Sequence, residues 1–181
     1  MIYVFLADGF EEAEALCPVD ILRRGGVEVK TVGVTGKTVM GSHGIPVVAD
    51  ITVDEAVKEG LEGVVLPGGL PGTTNLEKDS TVQDFLDYAY QNDLFIGAIC
   101  AAPSVLGHKG FLKGRKAICF PGFEKELTGA EIVDVPAVCD GKIITGWGAG
   151  GAFEFGFLLL SAITGDSKKA ENLRKNMKYP L

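Results

Sequence analysis

Cys100 is the residue of this chain best placed for nucleophilic chemistry. It follows the apolar run Phe95–Ile99 and precedes Ala101-Ala102-Pro103, after which a helical pattern continues to His108. A sharp strand-to-helix turn tolerates little bulk, so small residues on both sides are what a nucleophile elbow requires. A helix starting here directs free N–H groups towards the sulfur, which favours thiolate and lowers the thiol pKa. The same local sequence also suits a plain buried cysteine, because free cysteine behaves as a small hydrophobe. Cys17, Cys119 and Cys139 lack this setting and read as structural. The four thiols follow no metal-ligand spacing, so no metal site is expected.

Two further segments carry chemistry. Leu66-Pro67-Gly68-Gly69 ends another apolar run, and consecutive glycines after a strand let backbone N–H groups line a site for an anion or oxyanion. Read alone, those residues more often make only a tight turn. Glu14 lies between Ala13 and Ala15 on an otherwise apolar helical face. The ring of Pro18 clashes with the carbonyl of Glu14 and removes its usual helical bond, so the helix is expected to be distorted there. A carboxyl buried near a thiolate has its pKa raised and can donate a proton at neutral pH. Glu11 and Glu12 read instead as first-turn acids that favour the positive helix end.

The elements that must position these residues alternate along the whole chain. Apolar runs predict strands at Ile2–Ala7, Val27–Val34, Gly63–Leu66, Phe95–Ile99, Lys116–Cys119 and Lys142–Thr145. Helical patterns lie at Glu11–Arg24, Thr81–Gln91, Ala101–His108, Glu154–Thr164 and Ser167–Met177. Continuous apolar strands alternating with helices predict an α/β fold, a mostly parallel sheet with helices on both faces. Hairpins are expected at Gly41-Ser42-His43-Gly44 and at Asp140-Gly141. In such sheets sites form beyond the carboxyl ends of the strands, where Glu14, Gly69 and Cys100 would converge. No repeat or linker interrupts the pattern, so residues 1–181 read as one domain.

At 181 residues the chain is long enough to bury a large core. A hydrophobic content of 46% with 23% charged residues fits a globular protein. The net charge of −7, with no basic stripe, argues against nucleic acid as a partner. No apolar stretch is long enough to span a bilayer, and the first residues lack a basic leader and cleavage site. A cytoplasmic protein with reduced thiols is therefore expected.

Taken in order, these motifs resemble the ThiJ/PfpI superfamily and, within it, the Parkinsonism-associated deglycase branch. The likeness runs through Gly9-Phe10-Glu11-Glu12-Ala13-Glu14 with Pro18-Val19-Asp20, Val65-Leu66-Pro67-Gly68-Gly69, Ala98-Ile99-Cys100-Ala101-Ala102-Pro103, Gly148-Ala149-Gly150-Gly151 and Phe153-Glu154-Phe155. It implies a flavodoxin-like three-layer sandwich and a homodimer. It also implies Cys100 as an oxidisable nucleophile, Glu14 as its protonated partner, and amides of Gly69 and Ala101 as an oxyanion pocket. The apolar segment Ile45–Val48, near a sheet edge that needs cover, adds modest support for the dimer.

This chain departs from the family pattern at two places. Protease-like relatives place histidine directly after the cysteine, where this chain has Ala101, so no peptidase activity is expected. Many branch members carry histidine before a proline near the site, where this chain has Phe120 before Pro121. Of the two histidines, His108 lies about 12 Å along the helix from Cys100. His43 aligns with an arginine of the branch near its dimer contact.

The resemblance implies a cofactor-independent glyoxalase or deglycase acting on small dicarbonyls or glycated substrates. In the alternative, Cys100 oxidises to sulfinate in a non-enzymatic redox-sensing or chaperone-like protein. Both use the same cysteine. A glutaminase-type amidotransferase stands further off, since no Cys–His–Glu set is available.

Overall fold

The computed structural model describes residues 1–180. A seven-stranded sheet forms the middle layer. Its strands are β1 (Ile2–Leu6), β2 (Val29–Gly33), β5 (Ile51–Thr52), β6 (Gly63–Leu66), β7 (Phe95–Ile99), β10 (Ala137–Asp140) and β11 (Ile143–Gly146), in spatial order β10-β11-β7-β6-β1-β2-β5. All pairings are parallel except β10 with β11. A short hairpin of β3 (Thr38–Met40) and β4 (Pro46–Val48) stands apart, as does a small parallel pair of β8 (Lys116–Ala117) and β9 (Glu131–Ile132).

Strand side chains alternate between faces, and the two cores follow that alternation. Tyr3, Phe5, Val64 and Leu66 join the core beneath α2 (Gly72–Lys78), α3 (Ser80–Gln91) and α4 (Pro103–His108). Ile2, Val4, Leu6 and Val65 join the opposite core, beneath α1 (Glu12–Arg24), α5 (Ala152–Thr164) and α6 (Ser167–Asn176). Burial on both faces explains why these strands read as continuous apolar runs. The result is the flavodoxin-like three-layer α/β fold that the sequence predicts. Among the described residues, no helix is long and apolar enough to cross a membrane.

Both expected hairpins form, around Gly41–Gly44 and Asp140-Gly141. Three expectations need correction. The run Lys116–Cys119 keeps only Lys116–Ala117 as strand and pairs with β9 rather than entering the main sheet. There β11 already lies beside β7, and Ile118 donates its N–H to the Thr145 hydroxyl at 2.9 Å instead of to a neighbouring strand. Helix α4 starts at Pro103, two residues late, because Cys100–Ala102 are consumed by the turn. Helix α1 continues without interruption through Pro18. It packs on α5 at Gly156, where an added Cβ would stand 3.2 Å from the Pro18 Cα and 2.7 Å from Ile21.

Candidate active site

The strand order reverses beside β1, whose neighbours are β2 on one side and β6 on the other. The crevice beyond that point is where open α/β sheets bind ligands. Three strand ends meet there: the β1 exit leading into α1, the β6 exit at Pro67-Gly68-Gly69, and the β7 exit at Cys100.

Cys100 has φ of 65°, a left-handed conformation rare for a residue with a side chain. Two backbone bonds hold it there. Its N–H donates to the Gly146 carbonyl at 2.9 Å, and its own carbonyl accepts from the Phe120 N–H at 2.8 Å. Strain of this kind persists where the surroundings over-determine it, and it turns the sulfur away from the sheet towards α1. The elbow expected from the small residues around Cys100 is therefore present.

Glu14 is 1% exposed and faces Cys100 from the first turns of α1. Its Oε2 accepts from the Gly68 N–H at 2.9 Å, and the Cys100 thiol and the Ala149 N–H lie close enough to act on its titration. The helix is capped by Glu11, whose carboxylate accepts from the Glu14 N–H at 2.6 Å, while the Glu11 N–H donates to the Gly68 carbonyl at 3.0 Å. Gly68 has no room for a side chain: a Cβ would lie 2.5 Å from the Cys100 Cβ and 2.6 Å from Glu14 Oε2. Gly69, at φ of 86°, would press a Cβ to 2.5 Å from the Glu11 nitrogen. The glycines let three chain segments approach within contact of one thiol and one carboxyl.

The electrostatics of this pair differ from the thiolate expected at a helix start. Burial, the charge of Glu14 and the hydrogen bond to it push the Cys100 thiol up to about 12. Amides of Gly69 and Ala101 pull the other way without prevailing. The expected helix supplies little, since it begins at Pro103, which has no N–H, and spans only six residues. Burial is also the main reason the Glu14 carboxyl rises to about 7, helped by the charge of Glu11 and opposed by its hydrogen bonds. Each group shifts the other, so the two titrate as a pair. A thiolate beside protonated Glu14 carries the same net charge as a thiol beside its carboxylate, so the nucleophile arises by moving one proton.

Glu12 lies in the first turn of α1, as expected, and has a second role. It is 6% exposed and anchors the β3–β4 hairpin, accepting from the His43 N–H at 2.8 Å and bonding His43 Nδ1 at 2.9 Å. Burial alone would raise its carboxyl, but these bonds and one from the Ile45 N–H hold it down to about 2. His43 is thereby tied to Glu12, and its own pKa is raised by that bond. His108 is tied to Glu77 at 2.5 Å and Glu126 at 2.9 Å on the surface.

Three residues that the sequence singles out, Gly148, Ala149 and Phe120, adjoin Glu14 in a way the sequence alone does not give. The Ala149 N–H reaches Glu14 from the turn before α5. Gly148, at φ of 154°, would carry a Cβ 3.2 Å from the Phe120 ring and 3.9 Å from Glu14 Oε1. Phe120 is 48% exposed beside that turn. The glycine-rich segment Gly148–Gly151 signalled a special backbone, but only the fold brings it to Glu14.

A family model described as "DJ-1/PfpI family" matches residues 1–162. Protein dj-1beta of Drosophila melanogaster is 33% identical over 171 residues, covering 93% of this chain and 91% of that protein. A DJ-1 superfamily protein from Salmonella typhimurium, solved as a cysteine-to-alanine mutant, superposes with a TM-score of 0.93 at 37% identity, covering 99% of this chain and 98% of that one. Toxoplasma gondii DJ-1, solved in an oxidized form, superposes with a TM-score of 0.94 at 28% identity, again covering 99% of this chain and 98% of that one.

Proposed function

This chain belongs to the DJ-1/PfpI family, and from that membership we propose that it converts small α-oxoaldehydes to 2-hydroxy acids without a cofactor. The observation that carries the reading is the buried pair itself. Glu14, raised to about 7, is buried against Cys100, with the backbone amides of Gly68, Gly69 and Ala101 around the pair. A carboxyl with that pKa is half ionised near neutrality and serves equally as proton acceptor and donor.

In the first step the Glu14 carboxylate takes the thiol proton as sulfur bonds to the aldehyde carbon. The carbonyl oxygen becomes an oxyanion beneath the Gly69 and Ala101 amides, then takes the proton back from Glu14 to give a hemithioacetal. Glu14 next removes the hydrogen on that carbon, and the electron pair moves onto the neighbouring carbonyl oxygen as an enediolate. The proton returns to the second carbon, and the hydroxyl proton of the first passes to the second oxygen. The product is a 2-hydroxy thioester on Cys100, which water cleaves to release the acid and restore the thiol. One carbon is oxidised as its neighbour is reduced, so no external oxidant or reductant enters. Reversible adducts of such aldehydes with amines or thiols join the same cycle through the aldehyde they release. Steady-state conversion of methylglyoxal should fall to background in Cys100→Ala. Unchanged conversion by that variant would remove Cys100 from the chemistry.

A second reading has its own support in the oxidized form of the Toxoplasma relative. Cys100 would be oxidised to a sulfinate held by the same amides and by protonated Glu14, and the protein would act as a stress-responsive redox sensor.

The functional unit in this proposal is a homodimer. Leu16, Met40, Ile45 and Val48 are large apolar side chains left exposed on α1 and the β3–β4 hairpin, at 38%, 46%, 53% and 68%. Patches of that kind favour self-association. Light scattering at micromolar concentration should give twice the 19.1 kDa chain mass; a monomer mass would contradict the dimer.

A further inference from the structure

A concavity lies against the two chain segments that hydrogen-bond the Cys100 backbone. Ile118, Cys119, Pro121, Ile132, Val133 and Trp147 line a cavity of about 300 Å³. Cys119 and Pro121 flank Phe120, whose N–H binds the Cys100 carbonyl. Trp147 separates Gly146, which accepts from the Cys100 N–H, from Gly148, the glycine between the Phe120 ring and Glu14. The cavity wall and the site wall are thus built from the same two chain segments. Resting on the α-oxoaldehyde reading, we propose that this cavity receives the tail of the substrate, and that the preferred substrates are uncharged α-oxoaldehydes carrying an aryl or branched alkyl group.

Size and charge both support that class. The volume is roughly twice that of the ~150 Å³ apolar cavity known to hold benzene, and sits near the lower end of small-molecule pockets. The charged groups among its lining, Glu124 and Asp134, are both acidic, and no lysine or arginine lines it. Cys119 is 1% exposed, and burial with the charge of Glu124 pushes its thiol up to about 11, so it is a neutral wall. Across the site stand Glu11, Glu12 and Glu14, and His43 is held by Glu12. A phosphorylated or carboxylated substrate would meet Glu124 and Asp134 in the cavity, with no lysine or arginine there to receive it. Phe120 and Ile132, 48% and 42% exposed, leave apolar surface on the segments that form the cavity.

The chain contains one tryptophan, so its fluorescence reports on this wall alone. Titration of the wild type with benzyl alcohol, which is uncharged and unreactive, should give a saturable change, and benzoate should bind at least about tenfold more weakly. The kcat/KM for phenylglyoxal should exceed that for methylglyoxal by about tenfold or more, the scale of filling an apolar pocket. Ile132→Asp, at a half-exposed position, should weaken benzyl alcohol binding and cut that ratio about fivefold. A non-saturable response, equal binding of benzoate, or a ratio near one would overturn the proposal. Inertness of both aldehydes would overturn the catalytic reading, while the benzyl alcohol and benzoate titrations would still decide the pocket.

Discussion

Glu14→Gln should lose methylglyoxal turnover by about 10³-fold, the range over which a positioned acid–base group acts. Glu14 takes the thiol proton and moves the carbon-bound proton in the proposed cycle, and neither histidine is free to replace it: His43 is bonded to Glu12, and His108 to Glu77 and Glu126. Phe120, where many relatives are expected to place a histidine, offers no proton. The wild-type kcat/KM should rise with pH through about 7 as Glu14 ionises, following the value to which burial raises it. The same group shapes stability. Its folded-state pKa lies near 7 against the ordinary 4.5, so the native state binds this proton more tightly than the unfolded chain does. That contribution is complete below about pH 4.5 and is lost as pH rises through about 7, amounting to about 3 kcal/mol. Glutamine cannot titrate, so urea denaturation of Glu14→Gln should show a flatter dependence between about pH 5 and 8. Near-normal turnover by the variant would refute the mechanism and leave the redox reading the stronger one.

Under low peroxide, Cys100 should be the first thiol to gain oxygen, with two oxygens as the stable product. The thiolate attacks one peroxide oxygen and water leaves, giving the sulfenic acid; a second equivalent gives the sulfinate. What favours Cys100 is its proton relay, because the neighbouring Glu14 takes the thiol proton and then, protonated, donates to the new oxygens. Amides of Gly69 and Ala101 stabilise the negative charge. The competitors lack such a partner. Cys119 is buried, Cys17 is raised by burial and the charges of Glu11 and Asp20, and exposed Cys139 is raised by burial and Asp140. Peptide mapping by mass spectrometry after brief exposure decides the matter: earlier modification of Cys139, Cys17 or Cys119 would reject it. In Glu14→Gln, oxidation at Cys100 should slow, since the relay is gone.

Much of this arrangement is written in short stretches of chain. The run Ile2–Leu6, with both faces buried, could only be an inner strand, and Asp140-Gly141 could hardly be anything but a hairpin turn. Small residues around Cys100 foretell its left-handed φ, because bulk there would clash within the turn itself. Glu14, flanked by alanines on an apolar helical face, is legible as a carboxyl headed for burial. These are steric and solvation constraints that act over a few residues.

The tertiary structure decided what depends on groups distant in the chain. A helix start by itself predicts a lowered Cys100 pKa, and the structure reverses that direction. The decisive influences are burial and a carboxylate 86 residues away. Glu12 looks like its neighbour Glu11 until the hairpin, with His43 31 residues away, folds over it. The run at Lys116 has strand composition, yet the place beside β7 is taken by β11, so it pairs elsewhere. Gly148, Ala149, Phe120 and Trp147 gain their roles only when two late segments close on the β7 exit. Desolvation and pairwise charge are properties of what surrounds a group in space, and no local stretch of sequence contains them.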